Sequence, residues 1–283
     1  MPLSAVQPTP KKLRRLKMFL YGGAGCGKTT AAINMPAPYI IDSERGTEHY
    51  ADTIISQGGA VLNTVDLARV TTEVKALSSE KHPYKTLVID PISVIESAYV
   101  ASLQNKYGEG DMRVWLHRSN ALKRLYNMLV QLDMNVVITA HGKTEYGNNM
   151  AKVGTTFDGW RNFPFMFDLV IELQTNRSGA RTAFVSKSRL SGLEDKSTFA
   201  WSIDELKKQL PTVDFDLPSE PVAYASEKQV ESLRSAIKTI ASNKNALVMT
   251  GISELLTTNP NLLDLTEEYV NRKLADISNV TRG

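Results

Sequence analysis

The sequence predicts an α/β fold built on a mostly parallel sheet and followed by a small helical module. Three observations predict it. A glycine-rich loop stands directly after a short apolar run and directly before a helical stretch. Further apolar runs then alternate with helical stretches, the pattern of a parallel sheet covered on both faces. Late in the chain a proline-bearing stretch gives way to sequence with only a helical period.

The elements follow in order. Met1 to Pro10 is polar and proline-rich, and residues 1–16 read as a flexible basic segment. Lys17 to Tyr21 is a short buried strand running into the glycines. Lys28 to Asn34 starts a helix, which Pro36 and Pro38 stop because proline cannot continue the helical ladder. Tyr39 to Asp42 is a second strand ending in acids. Ala60 to Val65 is a third, and Leu67 to Leu77 is a helix. Thr86 to Ile89 is a buried strand with Asp90 at its end.

Two helices follow, Ser93 to Gln104 and Trp115 to Leu132. In the second, Leu122, Leu125, Tyr126 and Leu129 recur at helical spacing. Asn105 to Arg113 between them is polar and glycine-bearing. Val136 to Thr139 is another buried strand. Gly142 to Asn162 shows no clear period, and a structureless loop of that length is functional or disordered. Leu169 to Gln174 and Arg181 to Ser186 form an antiparallel pair across the turn residues Asn176 to Gly179. Pro211 to Ala225 reads as a linker. Beyond it, Ser226 with Gln229 and Asp264 with Glu267 have capping-box spacing, and Val230, Leu233, Ile237 and Ile240 make one apolar stripe. The expected organisation is therefore a core over 17–210, a linker over 211–225 and a helical module over 226–283.

At 283 residues, 42% apolar and 22% charged, the chain has enough material for one sizeable core and a small second module. No run approaches a membrane span, and Met18 to Tyr21 is too short for a signal peptide. A soluble, cytoplasmic protein without membrane partners is expected. The single cysteine, Cys26, excludes an internal disulfide and any multi-cysteine metal site. The net charge of +3 neither demands nor excludes nucleic acid, so the distribution of charge must decide.

Gly22-Gly23-Ala24-Gly25-Cys26-Gly27-Lys28-Thr29 fits the phosphate-loop pattern G-x-x-x-x-G-K-[ST]. Small residues let successive backbone N–H groups curl around phosphates, and the helix that follows points its positive end at them. Lys28 adds a mobile charge on the β- and γ-phosphates, and the Thr29 hydroxyl ligates magnesium. Thr30 completes the nucleotide-binding set, and Cys26 is a small filler. ATP with magnesium is the expected ligand. Asp90, at a strand tip expected beside the phosphate-loop strand, suits the metal through water, in the Walker-B role.

Hydrolysis needs a group to orient the attacking water. Many P-loop ATPases carry a glutamate directly after the Walker-B aspartate, but Pro91 stands there. Glu44, at the end of the second strand, is the candidate because parallel strands open their C-terminal ends onto one edge. A solvated loop acid is its alternative.

Ile40-Ile41-Asp42-Ser43-Glu44 resembles the strand that carries the catalytic glutamate in RecA-like recombinases, and the resemblance continues in order from Gly22 to about Leu190. It implies a RecA-like core and a γ-phosphate sensor at His141, which ends Val136 to His141. That position is usually glutamine in bacterial RecA, and a strand-end histidine bonded to backbone is the alternative. The resemblance also implies DNA-binding loops at Asn105 to Arg113 and Gly142 to Asn162. It further implies that Lys187 and Arg189 reach a neighbouring subunit's ATP. The chain looks most like phage-encoded RecA-core ATPases of the Sak single-strand-annealing group, which share the ending Glu44-Arg45-Gly46 and often end in a small helical module. RecA's own large N- and C-terminal domains are not recognisable.

The candidate DNA contacts are Lys106, Arg113, Lys143, Lys152 and Arg161, interleaved with Tyr107, Trp115, Tyr146, Phe157 and Trp160. Cations track phosphates while rings stack on bases, the combination that suits single strands. Trp160, Phe163, Phe165 and Phe167 are equally suited to anchor the segment to the core. The expected function is an ATP-dependent recombination protein that forms rings or filaments on single-stranded DNA, with a single-strand-binding protein as a further candidate partner. An ATP-switched assembly protein with little turnover and a RecA-core helicase or packaging motor remain as alternatives.

Overall fold

A computed structural model describes residues 15–146, 152–242 and 265–282. The chain divides into two compact units. The first runs to Thr71 and resumes over His82–Ser219; the second takes Thr72–Lys81 and the chain from Glu220.

The first unit opens with β1 (Lys17–Gly22), buried at every position. Alternation sends Met18 and Leu20 to one face, where they meet Ala31, Ile33, Ile40 and Ile171. Phe19 faces the other way. Its ring lies 5.7 Å from both Phe163 and Phe167 and meets Phe157 edge-on at 5.0 Å. Lys17, also buried, donates from Nζ to the carbonyls of Leu129, Leu132 and Met134. Burial pushes its amine down to about 7, against the pull of Asp133 and Asp168.

After β1 come α1 (Lys28–Ile33), β2 (Pro38–Asp42), α2 (Ala51–Ser56), β3 (Ala60–Asn63), α3 (Leu67–Ser79) and β4 (Thr86–Asp90). Next are α4 (Ile92–Tyr107), α5 (Met112–Gln131), β5 (Asn135–Tyr146), β6 (Lys152–Phe157), α6 (Phe163–Met166), β7 (Leu169–Thr175), β8 (Arg181–Ser188), β9 (Thr198–Ala200) and α7 (Ile203–Gln209). The sheet order is β3-β2-β4-β5-β1-β7-β8-β9, with β6 paired to β5. From β3 to β7 every pairing along this path is parallel, while β7-β8, β8-β9 and β5-β6 are antiparallel. This is the expected α/β core with a mostly parallel central sheet. The predicted face of α5 is buried at Leu122, Leu125, Tyr126 and Leu129.

Three expectations need correction. The Asp90 strand does not lie beside the phosphate-loop strand: β5 sits between β4 and β1 and pairs with both. Asn105–Arg113 is mostly helix, because α4 extends through Tyr107 and α5 begins at Met112, capped by Asp111, whose side chain accepts from Arg113 N. Gly142–Asn162 is not a structureless loop. Its described residues form a β5–β6 hairpin, in which Gly142 pairs with Phe157 and Thr144 with Thr155. Its β-branched and aromatic residues favour strands, but its polar residues on both faces hide the alternation.

In the second unit, α8 (Glu227–Ser242) and α9 (Glu267–Arg282) bury Val230, Leu233, Ile237, Leu265 and Val270 together. The capping box at Ser226 is formed: Gln229 N donates to Ser226 Oγ, and Gln229 Oε1 accepts from Ser226 N at 2.9 Å. Asp264, of the second box, lies outside the described residues, as does the side chain of Ile240. No helix among the described residues is long and apolar enough to cross a membrane.

Candidate nucleotide site

Parallel pairing brings four strand ends to one edge. Gly22 of β1 lies opposite His141 of β5, and Asp42 of β2 lies opposite Asp90 of β4. The phosphate loop, Asp90, Glu44 and His141 therefore share the carboxyl edge of the sheet, where ligands bind in open α/β folds.

The loop passes from β1 into α1 through Gly27, whose φ of 97° favours glycine. Lys28 Nζ donates to the carbonyls of Gly22 at 3.0 Å and Gly23 at 2.9 Å, so its charge rests over the loop. The Cys26 side chain is buried, as a filler would be.

Asp90 is almost wholly buried and accepts from Thr139 Oγ1. Burial raises its carboxyl above the usual carboxylate range, against hydrogen bonds from Thr139 and Thr29. The bond to Thr29 joins the two groups expected at the metal. Among the described residues no group of three or more His, Cys, Asp or Glu is placed to hold an ion. One carboxylate and one hydroxyl fit magnesium, which keeps several waters and takes its remaining ligands from phosphate.

Glu44 sits on a turn built by Asp42, which sequence reading did not single out. Asp42 Oδ1 accepts from Glu44 N at 3.0 Å, and Oδ2 accepts from Thr47 N and from Thr47 Oγ1 at 2.6 Å. Ser43 ties the same turn to the Asp90 strand, donating from N to Asp90 O and from Oγ to Pro91 O at 2.8 Å. The turn presents Glu44 to His141, with Nε2 3.1 Å from Glu44 Oε1. Both side chains are close to half exposed, so the pair is open to a ligand.

The next residue fixes where the hairpin starts. A Cβ on Gly142 would fall 2.7 Å from the carbonyl carbon of Gly22 and 3.0 Å from Gly23 N. Only glycine lets β5 pass this close to the phosphate loop. Just after β6, on the same root side of the hairpin as Gly142, buried Glu96 of α4 accepts from Trp160 N at 2.9 Å and pairs with Arg118 of α5. No motif signalled Glu96.

The candidate DNA residues lie around these elements. Lys143, half exposed, pairs with Asp158 at 3.3 Å. Arg161 is exposed, and the side chain of Lys152 lies outside the described residues. Arg113 pairs with Asp111 at 2.7 Å and covers Tyr107, which Lys106 also approaches at 5.1 Å. Trp115 and Phe165 are exposed, whereas Trp160, Phe163 and Phe167 are core. Lys187 Nζ donates to the carbonyls of Pro164 and Phe167 at 2.7 Å, and Arg189 donates to that of Phe165 at 2.8 Å. In this chain both cations bind the backbone around α6.

The family described as AAA domain matches residues 14–192. No curated protein matches the chain. Among solved structures, the crystal structure of the RadB recombinase is similar at 15% identity and a TM-score of 0.43, covering 64% of this chain and 84% of that one.

Proposed function

Because the chain belongs to the family described as AAA domain, we propose that it is an ATP-binding and ATP-hydrolysing recombination protein that assembles on single-stranded DNA and promotes annealing or strand exchange. The junction at His141–Gly142 carries this reading. His141 holds Glu44 on one side, and Gly142, the root of the β5–β6 hairpin, is wedged against the phosphate loop on the other. A group that reads the γ-phosphate is thus one residue from a projecting ribbon that bears cations.

In the proposed mechanism the loop amides and Lys28 hold the triphosphate. Thr29 and Asp90 would hold magnesium, which supplies charge neutralisation on the phosphate oxygens when bound. Glu44 orients and deprotonates the attacking water. His141 positions Glu44 and shifts with the γ-phosphate, moving the hairpin base and so coupling nucleotide state to DNA affinity. Single strands lie along Lys143, Lys152 and Arg161, with Lys106, Arg113 and the exposed Trp115 ring at the α4–α5 junction as a second contact. In an assembled ring or filament, Arg189 serves the neighbouring subunit's nucleotide.

Neutralising Lys143, Lys152 and Arg161 together is expected to weaken binding of an unstructured oligonucleotide. It should also lower the salt slope by about 0.7 per lost phosphate contact. ATP affinity should survive, since none of the three belongs to the phosphate loop. Affinity measured at several salt concentrations with a non-hydrolysable ATP analogue decides it. An unchanged affinity and slope would remove the hairpin as the DNA site.

A further inference from the structure

A cleft of about 520 Å³ opens beside the phosphate loop. Its walls include Thr30 and Asn34 of α1, Arg181 of β8, and Trp201 and Lys207 near the start of and within α7. The volume falls within the range of small-molecule pockets.

Two residues join this cleft to the phosphate loop. Thr30 follows the hydroxyl expected at the metal. Arg181 crosses the loop itself: a Cβ on Gly27 would fall 2.4 Å from Arg181 Nε. Among the described residues the Arg181 guanidinium has no carboxylate partner, unlike Arg113 and Arg118, which both pair with acids. Asp204 and Asp216 also line the cleft, but Asp216 is paired with Lys85 and Lys207, and an exposed cation laid over a phosphate loop outside any ion pair is suited to an anionic ligand. Trp201 is locked to it, since Trp201 N donates to Arg181 O at 3.0 Å. The indole is packed against the core and half-buried, leaving part of its surface to the cleft.

We infer that this cleft receives the nucleoside of the triphosphate, with the base against Trp201 and Arg181 bridging the nucleoside and phosphate ends. The inference rests on the phosphate-loop reading and extends it from the phosphates to the rest of the ligand. An aromatic ring beside a planar base gives stacking, which a bare polyphosphate cannot use. Arg181 accordingly contributes to both kinds of ligand, and Trp201 only to one carrying a base.

The test compares ATP with inorganic tripolyphosphate, each with magnesium, by titration calorimetry on the full chain. Wild type should bind ATP more tightly than tripolyphosphate. Trp201→Ala should weaken ATP roughly 3- to 10-fold and leave tripolyphosphate unchanged, as loss of one stacking contact implies. Trp201→Phe, which keeps a ring and packs with less disturbance, should retain most of the ATP affinity. Arg181→Ala should weaken both ligands. Equal losses for both ligands in the Trp201 variants would make Trp201 a structural residue and overturn the proposal. No loss for either would place the nucleoside elsewhere and overturn it as well. If wild-type protein bound neither ligand, the phosphate-loop reading itself would fail. Tripolyphosphate binding with no gain from the nucleoside would remove the pocket and leave that reading standing.

Discussion

Lys28→Ala is expected to weaken ATP binding roughly 10²-fold or more. The lysine is the charge resting over the loop, 2.9–3.0 Å from the Gly22 and Gly23 carbonyls. Hydrogen bonds to charged groups contribute about 1.5–3 kcal/mol apiece, and each 1.4 kcal/mol is a factor of ten in affinity. The fold should survive, because the Lys28 side chain lies at the loop surface rather than in the core. Calorimetric titration with ATP and magnesium checks this, alongside thermal unfolding. Wild-type affinity in the variant would contradict the assignment of Gly22–Thr29 as a phosphate site.

Glu44→Gln separates binding from turnover. The amide retains a hydrogen-bonding group for His141 and leaves the Asp42 turn intact, since Asp42 bonds the backbone of Glu44 rather than its side chain. It cannot accept a proton from water. ATP affinity should stay near wild type while steady-state hydrolysis falls ~10²–10⁴-fold, the usual contribution of a positioned general base. A rate within about threefold of wild type would remove Glu44 from the mechanism.

The phosphate loop was legible in the sequence because its chemistry is local: eight consecutive residues supply the turn, the charge and the hydroxyl. The strands around it were legible because burial on both faces makes them continuous apolar runs. What escaped depends on contacts between distant residues. Glu44 and His141 are 97 residues apart, and their pairing exists only because β2, β4 and β5 end on one edge. Arg181 reached the loop through the β7–β8 register, which sets it opposite Thr175, and no motif marks such a register. The intervening position of β5 was equally invisible, since alternation of strands and helices fixes strand direction but not strand order. Asp42 was visible as a strand-end acid, yet its work is to cap a turn, which spacing alone does not distinguish from a ligand role. The β5–β6 hairpin was missed for a different reason. Its residues are strand formers, but polar residues on both faces leave no one-sided apolar run of the kind that makes a strand readable.

The coupling between the nucleotide site and the hairpin is tested most directly by measuring single-stranded oligonucleotide affinity with and without a non-hydrolysable ATP analogue, in wild type and in His141→Ala. Wild type should bind the oligonucleotide more tightly with the analogue, and by linkage the oligonucleotide should tighten the analogue by the same factor. His141→Ala should still bind the analogue but lose the difference. Equal oligonucleotide affinity with and without the analogue in wild type would contradict the coupling, and with it the proposal that nucleotide state governs this chain's hold on DNA.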